Sequence, residues 1–173
     1  MSTPATAAGV KPDIFFSYST AETTNVLLCT LVWLVFNKQY RLRFTPSALT
    51  SGASQLEEIE KQIADCAFAV VCLDGLRPNV IHEWGYMRGL NKPVILLKKE
   101  GATVDLRHFT QDTAPQLPNP PLDMNSHLSN LKDINYAKWY PEDPPKSVKA
   151  IWDEYNKIRG KAKLVEVEEP RLW

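Results

Sequence analysis

Glu83 stands in the run PNVIHEWGYMRGLNKPVILL (78–97), among Val80, Ile81, Trp84, Met87 and Leu90. An α-helix turns about 100° per residue, so with Val80 set at zero, Trp84 falls at about 40°, Met87 at about 340°, Leu90 at about 280° and Glu83 at about 300°. The carboxylate thus lies inside the apolar arc. His82, at about 200°, lies on the far side and is not its partner. Glu83 also sits about one turn from the expected helix start, where the helix dipole favours an anion. A carboxylate held ionised in a partly dry place is what a reaction with a cationic transition state requires. The bland alternative is a rim glutamate that keeps its charge in water.

The elements that must position it follow from periodicity. DIFFSY (13–18) is a short apolar run rich in aromatics and fits a buried strand. Residues 22–37 are apolar nearly all round, as expected of a helix deep against a sheet. YRLRF (40–44) alternates as a strand does, and TPSALTSG (45–52) is loop, with Pro46 and Gly52 as breakers. In 53–66, Leu56, Ile59 and Ile63 share one face with glutamates opposite, the clearest amphipathic helix in the chain. AFAVVCL (67–73) reads as a central strand, 79–90 as a helix capped by Asn79, and KPVILL (92–97) as another buried strand. Residues 101–131 form a long irregular connection, 133–140 a last strand and 144–160 a closing helix. Strands alternating with helices imply an α/β fold, a parallel sheet covered on both sides.

In an open parallel sheet, ligands bind beyond the carboxyl ends of the strands, where strand order reverses. With a flavodoxin-like order that crevice lies between the first and third strands. Their ends are FSYS (16–19) and LDGLRPN (73–79). The first supplies Phe16, Ser17, Tyr18 and Ser19. The second supplies Asp74 and leads into the helix that carries Glu83. Ser17 offers a hydroxyl for a ribose or a cap for the next turn; Asp74 offers the same choice. Phe16, Tyr18, Phe44 and Trp84 are flat rings able to stack on a base or fill the core. Thr45 follows Phe44 at the end of the second strand.

A length of 173 residues suits one domain, with 1–12 a flexible leader, 13–160 the folded unit, and 161–173 a charged tail or the stub of a linker. Twenty basic and 20 acidic residues leave no net charge, which argues against direct nucleic-acid or membrane binding. Cys29, Cys66 and Cys72 form no CxxC pair and read as buried free thiols in a reducing compartment. The first residues lack the apolar core of a signal peptide, and the run from Val26 to Phe36 is shorter than the ~20 residues a membrane helix needs. A cytoplasmic protein is expected. His82, His108 and His127 have no ligand-like spacing, and neither a GxGxxG nor a P-loop occurs, so no metal or resident cofactor is expected.

DIFFSYS, followed by RFTPSALTSGASQLEEIEKQIADCAFAVVCLD, resembles the opening half of a TIR domain. LRPNVIHEWGYMRGLNKPVILL is similar to a signature of the nucleoside 2-deoxyribosyltransferase-like and TIR-like nucleotide-binding proteins. The likeness covers roughly residues 13–108 and includes DLRHF (105–109). It implies a flavodoxin-like, TIR-like open sheet of about five strands with helices on both faces. It also implies that Glu83 attacks or stabilises the anomeric carbon of a ribose. Ser17 and Tyr18 match the first-strand box that lines the pocket, and the 45–53 loop matches one that flanks it and drives self-association. Asn91 stands where the second group has glycine, Trp84 follows the glutamate directly, and 109–131 is an insertion.

The activity this resemblance implies is cleavage of the nicotinamide–ribose bond of NAD, as substrate, by an oligomerisation-activated immune or antiviral defence effector with a sensor domain or partner protein. The leaving nicotinamide departs neutral from a pyridinium, so one carboxylate and no general acid suffice. Two alternatives stand beside it. A nucleoside or nucleotide N-glycosidase or deoxyribosyltransferase would need an acid near the base, with Asp74 the candidate. A non-enzymatic signalling module would assemble through 45–53 without turnover.

Overall fold

The computed structural model describes residues 11–19, 25–44, 55–74, 78–101 and 135–170. Five strands form one sheet: β1 (Asp13–Ser17), β2 (Arg41–Phe44), β3 (Phe68–Cys72), β4 (Val94–Lys99) and β5 (Ala137–Trp139). Their order is β2-β1-β3-β4-β5, and every neighbouring pair is parallel. This is the flavodoxin-like order, with its reversal between β1 and β3. Among the described residues the helices are α1 (Asn25–Phe36), α2 (Gln55–Asp65), α3 (Pro78–Gly89) and α4 (Pro144–Ala162).

Alternation along the strands divides the core in two. Ile14, Phe16, Val70, Cys72, Ile95, Leu97 and Trp139 pack beneath α1 and α4. Phe15, Ala69, Val71 and Leu73 pack beneath α2 and α3 with Ile59, Ile63, Val80, Trp84 and Met87. The first layer is the larger. Phe36, Tyr40, Phe68 and Tyr155 meet there with centroids 5.1–6.2 Å apart, edge to face in every pair but the tilted Phe68–Tyr155, the geometry that ring quadrupoles favour.

Several boundaries differ from expectation for local reasons. α3 begins at Pro78, one residue before the expected Asn79 cap; proline suits a first helical position because its missing N–H has no intrahelical partner there. It ends at Gly89, so Leu90 leaves the inner face and is exposed. α1 buries Leu28, Leu31, Val32, Val35 and Phe36 but leaves Val26 and Trp33 to solvent, so it is a surface helix rather than a fully buried one. β4 runs on to Lys99 because β5 pairs with it as far as Trp139. α4 is capped by Asp143, whose carboxylate accepts from Lys146 N at 3.1 Å, and ends on Lys163 in the left-handed region.

Asn91, at φ 52°, also occupies the left-handed region. Glycine is favoured there and asparagine is among the few side chains that tolerate it. Asn91, where the resembled signature has glycine, therefore keeps the backbone turn. Lys92 then donates to Ala64 O at 2.6 Å and Cys66 O at 2.7 Å, tying the α3–β4 turn to the end of α2.

The segment after α4 turns back over the core. Val167 is buried, Trp152 Nε1 donates to Val167 O at 3.1 Å, and Tyr155 Oη donates to Val165 O. Val165 N donates to Tyr40 Oη at 3.2 Å, and the two tyrosine hydroxyls meet at 2.8 Å. Up to Pro170 the charged segment forms a strap tied to the core at Val165 and Val167, with Glu166, Glu168 and Glu169 exposed. It ends beside the carboxyl end of α1, where Leu34, Val35, Asn37, Lys38 and Gln39 line a hollow of about 410 Å³ with Glu168, Glu169 and Pro170.

Candidate functional site

α3 descends antiparallel to the strands over β1 and β3 and lies beside α2. Its apolar stripe holds it there, and Glu83 lies within that stripe. The residue is 2% exposed, beside buried Val80, Trp84 and Met87. It is the sixth residue of α3, about 7.5 Å along the axis from Pro78 at 1.5 Å per residue. Helix side chains lean toward the amino end, so the carboxylate is carried up toward the C-terminal edge of the sheet. His82 faces outward, its Nε2 3.9 Å from Glu60 of α2, and does not serve Glu83.

Ser17 closes β1, in register with Val71 of β3. By alternation it shares the α2/α3 face with Phe15, the face that carries Glu83. Ser17 Oγ is fully buried and has no hydrogen-bond partner among the described residues. A neutral hydroxyl left so costs about 1–3 kcal/mol. Ser19, two residues on, is buried as well.

Phe16 and Tyr18 point to the opposite face. Phe16 is completely buried in the α1/α4 core, which places it in the framework. Tyr18 is half-buried, stacked on Phe16 with centroids 5.1 Å apart, and borders α1. Burial pushes its hydroxyl pKa up, and the nearby Cys29 thiol adds to the shift. Trp84 packs into the α2/α3 core, with the Arg88 guanidinium 5.7 Å from its ring centroid. Phe44 ends β2 opposite Phe16 in the backbone register. Its side chain, Thr45 and the 45–53 loop lie outside the described residues.

Asp74 is bonded within the framework. It is buried, and both its oxygens accept from the framework: Oδ1 from Lys99 N at 2.7 Å, and Oδ2 from Trp139 Nε1 at 2.9 Å and Cys72 Sγ at 3.1 Å. These bonds lace the end of β3 to β4 and β5. The sequence suggested a ribose contact or a helix cap for this carboxylate; residues 75–77, where a cap would fall, lie outside the described residues.

A residue the sequence reading passed over is Asn25, the first residue of α1. Its side chain is 3% exposed, and neither Oδ1 nor Nδ2 has a hydrogen-bond partner among the described residues. The signal was present: Asn25 opens NVLLCTLVWLVF, a stretch without a single charge. Among the described residues no group of three or more His, Cys, Asp or Glu could hold a metal ion, and no helix is long and apolar enough to cross a membrane.

No protein-family model matches the chain, and no curated protein matches it. Solved structures do. The CMP N-glycosidase BcmB of Clostridium botulinum is 15% identical, over 83% of this chain and 98% of its own, with a TM-score of 0.49. The TIR domains of the activated Roq1 resistosome, which directly recognises the pathogen effector XopQ, are 17% identical over 84% of each chain, with a TM-score of 0.44. A TIR domain, the group whose motifs the sequence resembles, is thus among the structures similar to this one.

Proposed function

We propose that the chain cleaves the N-glycosidic bond of a nucleotide, and that its substrate is NAD, cut between nicotinamide and ribose. The observation that carries this reading is Glu83, a carboxylate buried on the sheet-facing side of α3, next to the strand pair at which the order reverses. In the reaction the C–N bond breaks and its electron pair stays on the nicotinamide nitrogen, which becomes neutral. The ribose carbon gains oxocarbenium character, and the Glu83 carboxylate stabilises it across a low-dielectric gap. Water then bonds to that carbon and releases a proton, giving ADP-ribose. Ser17 Oγ, lacking a partner within the described fold, is the group that bonds a ribose hydroxyl in this reading.

Asp74 distinguishes this reading from its enzymatic rival. A neutral nucleoside needs an acid to protonate the departing base, and the candidate acid is engaged by Trp139, Lys99 and Cys72. NAD needs none. Self-association through the 45–53 loop, a sensor domain or partner, and a role in defence belong to the same proposal and rest on the motif resemblance.

The test is nicotinamide release from NAD, measured across protein concentration so that activation by assembly is seen. Glu83→Gln keeps the melting temperature and lowers release by about 10²–10³-fold, the scale of removing one transition-state stabiliser. Unchanged release in that variant refutes the mechanism. Parallel incubation with nucleoside monophosphates identifies the base released if NAD is not the substrate.

A further inference from the structure

We infer that the Asn25 amide, with the Tyr18 ring beneath it, forms the lip of the crevice that reads the edge of a planar heterocycle. This rests on the crevice being the nucleotide site proposed above and deepens that reading by naming a specificity residue.

Position is the first argument. α1 leaves the C-terminal edge of β1 and descends to the opposite edge, where the chain re-enters the sheet and Arg41 N donates to Pro12 O at 2.9 Å. Asn25, at the top of α1, therefore stands at the crevice end. At the reversal between β1 and β3 the two following helices diverge to opposite faces. α1 forms one lip and α3, with Glu83, the other.

Neighbourhood is the second. Asn25 and Cys29 are four residues apart on one stripe of α1. Cys29 and Tyr18 both pack against the α1/α4 core layer, Tyr18 through its stack on Phe16. The amide therefore tops a stripe that runs down past the Tyr18 ring. A half-buried aromatic ring beside an amide is a stacking surface beside a donor–acceptor pair.

Chemistry is the third. Asn25 is 3% exposed, beyond the reach of bulk water, yet both polar atoms lack partners among the described residues. Buried polar groups are almost always bonded, and each exception calls for an explanation. A side-chain amide presents one acceptor beside one donor, and its complement is a group with a donor beside an acceptor. The N6–N7 edge of adenine has that pattern, and so does a carboxamide; hypoxanthine, with acceptors at both O6 and N7, lacks it on that edge. Ser17 Oγ, the second unpartnered buried group, sits on the α3 face. The two orphans thus flank the reversal from opposite sides, one suited to a base edge and the other to a sugar.

The test uses the full chain carrying Glu83→Gln, so that ligand is not consumed, with Asn25 intact or changed to leucine. Calorimetric titrations use NAD, its nicotinic-acid analogue and its hypoxanthine analogue; melting temperature is followed in parallel. With Asn25 intact, one analogue binds roughly ten- to hundredfold more weakly than NAD. The nicotinic-acid form being the weak one assigns the carboxamide, and the hypoxanthine form assigns the adenine edge. Asn25→Leu abolishes that difference and leaves the melting temperature unchanged or raised, because no bond within the fold is lost. A melting temperature several degrees lower with selectivity intact overturns the inference, since the amide then serves the fold. Equal binding of all three ligands, or binding of none, overturns it as well. If the Glu83→Gln chain releases nicotinamide, the catalytic role of Glu83 falls and the same comparison is made with the carbocyclic analogues of the three ligands, which cannot form an oxocarbenium ion.

Discussion

Replacing Asp74 by alanine removes at once the acceptor for the Trp139 indole, the Lys99 N–H and the weak Cys72 thiol donor, of which the first two carry most of the cost. Trp139 is completely buried, so its indole N–H cannot turn to water, and the Lys99 N–H is fixed in β4. Each orphaned donor costs about 1–3 kcal/mol, so the variant should lose roughly 2–6 kcal/mol. Against a typical stability of about 5–15 kcal/mol this is a large fraction. At about 2–4 °C per kcal/mol for a chain of this size, the melting temperature should fall by roughly 5–20 °C. Asp74→Asn keeps one acceptor and turns an amide N–H toward the other donor, so its loss should be smaller but of the same sign. Trp139→Phe removes the indole donor. Combined with Asp74→Ala it should cost less than the sum of the single changes, by about 0.5–3 kcal/mol. Urea titrations of the four proteins measure the cycle. An Asp74→Ala chain within about 0.5 kcal/mol of the parent, the range of an ordinary surface change, refutes the reasoning. So does strict additivity with Trp139→Phe.

Two further measurements probe the ionisable groups. The Arg41 hydrogen bond, aided by Arg43 and opposed by burial, holds the Asp13 carboxyl below its ordinary range. Its folded pKa is therefore lower than its unfolded one, near 3.9, so the stabilisation is complete above that value and fades as pH falls through the lower folded one. The gap in melting temperature between the parent and Asp13→Asn should hold above about pH 5 and close below about pH 4; a gap constant into stronger acid counts against it. Burial pushes the Cys29 thiol up to about 11. At pH 8 roughly one thiol in a thousand is then ionised, so reaction with a disulfide reagent should be slow in the native chain, rise about tenfold per pH unit, and become fast in urea. Equal rates before and after unfolding contradict the burial.

The sheet and Glu83 were legible because both are written in local period. Two-residue alternation and buried runs marked β1 to β4, and a 3.6-residue projection placed Glu83 with Val80, Trp84 and Met87, which the structure buries together. Asp74 was not legible. Its partner Trp139 is 65 residues away, and nothing near either residue announces the pairing. The strap 164–170 escaped for the same reason: a segment dominated by charge gives no sign that Val165 and Val167 will find Tyr40, Tyr155 and Trp152. Asn25 was visible as a type but not as a burial state, because the depth of a helix start depends on what closes over it. Leu90 was misplaced by extending a period one residue past the helix end.

The strap fixes where the chain can be held. Pro170 lies beside the last turn of α1, at the pole of the molecule away from the β1 and β3 tips. A chain anchored to a surface by its carboxyl terminus would present the Glu83 end outward. Force applied there would load the Trp152–Val167 bond first and the Tyr40–Tyr155 latch next, and leave the reaction end unstrained until both give way.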